Sequence, residues 1–122
     1  MKFHLQAPAA NVIRAFGPDW IRIGEREYRQ NLIVTPDAVV SGWAPAGFAA
    51  LTAEDFASLL EYTPEIVLLG TGAVQRFPHP RLIAALTQAR VGVDAMDTRA
   101  ACRTFNILIA EDRRVVAALV IG

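Results

Sequence analysis

Ile66-Val67-Leu68-Leu69 is an apolar run without alternation, and it leads straight into Gly70-Thr71-Gly72. Such a run has no solvent side, so it reads as a strand covered on both faces, the kind found in sheets flanked by helices. The remainder of the chain keeps to that pattern. Pro80 suits the first turn of a helix over 80–90, with Leu82, Ile83 and Leu86 turned inward. Val91-Gly92-Val93 is a short strand. Asp97 or Thr98 can then cap a helix running to about Ala110, whose buried stripe would be Ala101, Phe105, Leu108 and Ile109. Arg114 to Ile121 reads as the last strand. Strand, helix, strand, helix, strand is the order of a βαβ unit with a partly parallel sheet.

The first half is built differently. Short β-type runs at 11–16 and 20–23 are parted by the turn Gly17-Pro18-Asp19. Gly24-Glu25 then suggests a hairpin into a third run, Tyr28 to Val34. Within 20–23, Trp20 and Arg22 share one face and Ile21 and Ile23 the other. Thr35-Pro36-Asp37 breaks the chain before a fourth run, Ala38 to Ser41, and Pro45 and Gly47 mark a loop around Trp43. Thr52, with Asp55 three residues on, resembles a capping box, and Phe56, Leu59 and Leu60 give the helix after it an apolar stripe. Pro64 ends that segment. With 122 residues, 53% hydrophobic and 20% charged, residues 1–122 read as a single compact α/β domain, long enough to bury roughly two thirds of its unfolded surface.

Composition removes several function classes. Twelve basic and twelve acidic residues cancel, so no global field draws in nucleic acid. The balance is uneven along the chain, at five basic against eight acidic residues up to position 65 and seven against four beyond it. Cys102 is the single cysteine, which excludes an internal disulfide and a thiolate metal cluster. His4 and His79 show no metal-ligand spacing, and no cofactor is implied. No run approaches the length of a membrane span and no signal peptide is visible, so the expected protein is soluble and cytoplasmic. Peripheral association with a membrane stays open.

Two places carry candidate chemistry. The Gly70-Thr71-Gly72 turn lies at the carboxyl end of a buried strand, where open α/β sheets bind ligands. Its backbone amides, Thr71 and Arg76, together with cations such as Arg81 and Arg99, would suit a small anion. Yet the turn lacks the third glycine of a dinucleotide fingerprint and the Gly-Lys-Ser/Thr of a P-loop, and a plain structural turn competes with that reading. In the last helix Arg99 and Arg103 stand four apart with Asn106 on the same stripe. They would grip an anion or an acidic partner surface, unless carboxylates such as Asp94, Asp97 or Glu111 pair with them. Trp43 and its loop mark a contact patch if exposed and one end of the core if buried. Cys102 is a nucleophile only if the helix terminus and flanking arginines lower its pKa, against the plainer reading of a packed thiol.

Three segments carry a resemblance: Asn31 to Asp37, Pro64 to Gly72, and Met96 to Leu108. In that order they resemble the bacterial, archaeal and mitochondrial family of largely unknown function that includes mitochondrial NADH dehydrogenase (complex I) assembly factor 3. The resemblance implies a three-layer α/β fold with a central mixed sheet, helices on its faces and extra N-terminal β structure. It also implies a non-enzymatic role in protein contacts, building a respiratory or membrane complex. Gly70, Gly72, Asp97, Thr98, Arg99, Thr104 and Asn106 match the motifs, and the family brings no catalytic residues with it. Two functions therefore stand side by side. One is an interaction or assembly factor whose protein partner meets Arg99, Arg103, Asn106 or Trp43. The other is a small-anion or small-molecule binding domain, an enzyme or not, with its site at Gly70, Thr71, Gly72, Arg76 and Arg99. Partner identity and oligomeric state are not written in the sequence.

Overall fold

A computed structural model describes residues 10–121. Its centre is a five-stranded mixed sheet in the order β5-β4-β8-β6-β7, built from β4 (Leu32–Val34), β5 (Val39–Ser41), β6 (Ile66–Thr71), β7 (Gly92–Met96) and β8 (Val115–Val120). β8 pairs in parallel with β6 and antiparallel with β4, and β6 pairs in parallel with β7. Burial explains the lack of alternation: all of β8, and β6 from Val67 onward, are shielded from solvent. Val67 and Leu69 enter one core, while Leu68 enters the other.

The chain leaves β6 in one direction to make β7, then returns past β6 to make β8. Crossovers of one handedness put the helices of two oppositely directed steps on opposite faces of the sheet. Accordingly α2 (Ala84–Gln88) packs through Leu86 on the Val67/Leu69 face, beside α1 (Ala53–Ala57). α3 (Thr98–Ala110) packs through Ala101, Cys102 and Phe105 on the Leu68 face. The second layer on that face is completed by a three-stranded antiparallel sheet of β1 (Ile13–Gly17), β2 (Trp20–Ile23) and β3 (Arg26–Tyr28). Ile21 and Ile23 point into the core, with Arg22 exposed between them, as their alternation requires.

Three local expectations change. The run 28–34 is two strands in two sheets, broken at Asn31. The Asn31 side chain donates to Ala44 O at 2.8 Å and accepts from Ile121 N at 2.7 Å, while its carbonyl takes Gly42 N. A residue that satisfies three segments holds the chain where it changes sheets. The capping box at Thr52 and Asp55 is complete in both directions, but α1 is short and tightens into a 3-10 turn over Ser58–Tyr62. Thr63 then turns left-handed (φ 49°) ahead of Pro64, a position where proline disfavours helix. Residues 80–90 likewise begin as a 3-10 turn, Pro80–Ile83, capped by the His79 ring accepting from Arg81 N, and become α-helical only from Ala84.

Candidate functional site at the carboxyl ends of the sheet

The carboxyl ends of β6, β7 and β8 meet at Thr98, the first residue of α3. Asp97 caps this helix, its carboxylate accepting Ala100 N at 2.9 Å. Thr98 then faces two strands at once. Its hydroxyl donates to Val120 O at 2.6 Å and accepts Gly72 N at 2.7 Å, while its amide donates to Gly72 O at 2.9 Å. This contact explains the first glycine. A Cβ on Gly70 would lie 2.9 Å from Leu119 Cδ2, 3.0 Å from Thr98 Oγ1 and 3.2 Å from Thr98 Cα. The second glycine turns the chain, with φ at 92°, a conformation glycine adopts without strain.

Thr71 closes the rest of the turn. Its buried hydroxyl lies 2.6 Å from Val74 O and 3.2 Å from Met96 O and accepts Arg76 N at 3.1 Å. Thus the amides of Gly72 and Arg76 are spent inside the fold. Arg76 does not meet Arg99 either. Its guanidinium donates to Thr71 O at 2.9 Å and lies over the Phe48 ring, 4.4 Å from the centroid. Phe48 packs on the α1/α2 face of the sheet, whereas α3 covers the other. The sheet itself separates the two cations.

Arg99 and Arg103 do come together, over one ring. Their guanidinium carbons lie 5.9 and 5.5 Å from the centroid of Phe16 in β1, within the range of cation–π attraction. Among the described residues no side-chain carboxylate comes within 4.0 Å of either. Asp94, Asp97 and Glu111 therefore leave both charges uncompensated. Asn106, on the same stripe, is spent on β1: it accepts Ile13 N at 2.9 Å and donates to Ile13 O at 2.8 Å. Beside these arginines a pocket of ≈ 460 Å³ opens between the β1–β2 turn at Phe16 to Pro18, the Gly72-Ala73 step and Thr98-Arg99. Phe77 stays outside it, 73% exposed on the loop beyond the turn.

The remaining candidates fall to burial. Trp43 is 7% exposed, edge-on to Phe56 with centroids 6.3 Å apart, so it closes one end of the core and offers no contact patch. Cys102 faces the Leu68 core, and burial pushes its thiol up to about 12, so it is no nucleophile. Among the described residues no group of three or more His, Cys, Asp or Glu could hold a metal ion. Sequence reasoning missed Phe16 and Thr98 as organisers. Phe16 carried a weak signal, an aromatic just before Gly17-Pro18. Thr98 read as a cap and a motif match, with no sign that it ties the strand ends together.

Residues 13–120 match the family described as "Protein of unknown function (DUF498/DUF598)". The NADH dehydrogenase (ubiquinone) 1 alpha subcomplex assembly factor 3 of Danio rerio is 31% identical over 117 residues, 94% of this chain and 67% of that protein. The assembly factor 3 of Mus musculus is 37% identical over 90 residues, 72% of this chain, and the match spans only 48% of the mouse protein. Among solved structures, a Bordetella parapertussis protein superposes with a TM-score of 0.89 at 37% identity, over 95% of this chain and 99% of that one. An outer membrane protein from Bartonella henselae superposes with a TM-score of 0.77 at 29% identity, over 93% and 97%.

Proposed function

We propose that this chain, which belongs to the DUF498/DUF598 family, is a non-enzymatic interaction factor that helps assemble a respiratory or membrane complex. One observation carries the reading: Arg99 and Arg103 share the Phe16 ring and have no carboxylate partner among the described residues. Arginine over an aromatic ring is pre-organised at little entropic cost and matches a carboxylate fork. A partner with an acidic surface would meet it. Relatives named as assembly factors for NADH dehydrogenase support the biological setting, and in this reading the domain acts from the cytoplasm. No helix among the described residues is long and apolar enough to cross a membrane.

The test is complementation. In a strain deleted for its own copy, the level of assembled NADH dehydrogenase is read by in-gel activity after native electrophoresis. The wild-type chain restores it. The double charge reversal Arg99→Glu with Arg103→Glu, verified as folded, restores it about tenfold less or not at all. An unchanged level in the deletion strain, or full restoration by the double variant, refutes the proposal.

A further inference from the structure

We infer that the pocket beside the glycine turn is a binding site for a small amphipathic carboxylate, its apolar body inside the pocket and its carboxylate on Arg99. This goes beyond the assembly role and does not rest on it. The volume, ≈ 460 Å³, falls in the range of sites that enclose small organic molecules. The walls are hydrocarbon: Phe16, Pro18, Ile21, Ala73 and Ile121 contribute rings and alkyl groups. Water held against such walls gains by being replaced with an apolar group.

The polar groups at the rim decide the head group. Thr98 has its hydroxyl proton on Val120 O and its oxygen taken by Gly72 N, so neither it nor the Gly72 amide is free for a ligand. Arg99 is different, with no carboxylate within 4.0 Å among the described residues. The acids around it are engaged elsewhere: Asp97 on the amide of Ala100, and Asp19, beside Pro18, on Arg29 at 3.5 Å. Arg103, one turn along, adds positive potential over the same Phe16 ring. A single guanidinium at the pocket rim matches a carboxylate fork to fork. A bare phosphate would leave the hydrocarbon walls wet.

The experiment uses the full chain, labelled with 15N and titrated with octanoate, octan-1-ol and inorganic phosphate. Octanoate is expected to give saturable shifts at the amides of Gly17, Gly72, Ala73 and Ile121, with octanol binding there about tenfold more weakly. Phosphate should give none. Arg99→Gln should weaken octanoate about tenfold and leave octanol unchanged, the signature of a lost charge-assisted contact. Ala73→Trp, at an exposed position on the rim, fills the mouth while keeping both arginines, and should abolish octanoate binding. Three results overturn the inference: no saturable shift at those amides, Arg99→Gln binding octanoate as the wild type does, or phosphate binding there as well as octanoate. Purified chain needs no assembly partner, so failure here leaves the assembly proposal standing. Failed complementation leaves the titration unaffected in turn.

Discussion

Replacing Asn106 with alanine should detach β1 from α3. The Asn106 amide meets both backbone polar groups of Ile13, at 2.9 and 2.8 Å, and Ile13 is only 4% exposed. A hydrogen bond contributes about 0.5–1.5 kcal/mol net, but a buried group left without its partner costs about 1–3 kcal/mol. Both partners here belong to one residue at the edge of the small sheet, where water can partly enter. The expected loss is therefore about 3 kcal/mol, nearer the lower end of two orphaned groups. Unfolding entropy of about 2.1 cal/mol/K per residue gives about 0.26 kcal/mol/K for 122 residues, so the midpoint should fall by about 12 °C. Differential scanning calorimetry of the variant measures this directly. Ile107→Ala is the control one residue along, because Ile107 is 58% exposed and should change stability by less than about 0.5 kcal/mol. A drop of under about 4 °C for Asn106→Ala, or an equal drop for the control, would refute the clamp.

Gly70→Ala should cost about 1–3 kcal/mol, because the new Cβ presses on the Thr98 backbone as well as on Leu119 and cannot be relieved by a rotamer change alone; chemical denaturation checks it. Cys102 should resist a thiol reagent at pH 8 in the native protein and react at once when unfolded. Its folded thiol, at about 12, lies above the ordinary value of 9.0, so between these pH values the unfolded state holds fewer protons. Stability should accordingly be intact below about pH 9 and fall above it by up to about 1.4 kcal/mol per pH unit. Cys102→Ala should lack that component, and an identical alkaline slope in the variant would count against the assignment.

Much of the fold was written in patterns that depend on neighbours close in sequence. Asp97, Thr98 and the stripe through Phe105 set α3 nearly to the residue, since capping and the helical repeat are local matters. The unalternating run at β6 announced burial on both faces, whereas the last run was read only as a strand and proves fully buried as well. The break at Asn31 was hidden, because it depends on Ala44 and Ile121, groups far along the chain. The three-layer mixed sheet came from the resemblance, and the residues alone offered only a partly parallel one. For the site, local reasoning placed Arg99 and Arg103 on one face, and that face covers Phe16. It also grouped Arg76 with Arg99 at the turn, but nearness to the turn in sequence says nothing about which side of a sheet a side chain takes, and Arg76 went to Phe48. Trp43 shows the same limit, as an aromatic in a loop of Gly and Pro has no periodicity from which to read its burial.

The position of β8 has a consequence for synthesis. Among the described strands β8 is the last to be made, yet it is the middle one, with β4 on one side and β6 on the other. Until Val115 to Val120 emerge, the β4–β5 and β6–β7 pairs have no ladder between them, and Leu68 and Phe105 lack the side chains that complete their core. Pairing of this kind links distant parts of the chain and is slow to form. A nascent or prematurely released polypeptide would expose two unpaired sheet edges, the surfaces that aggregation and quality control both recognise. Translation of this one strand therefore separates a chain that cannot persist from one that can.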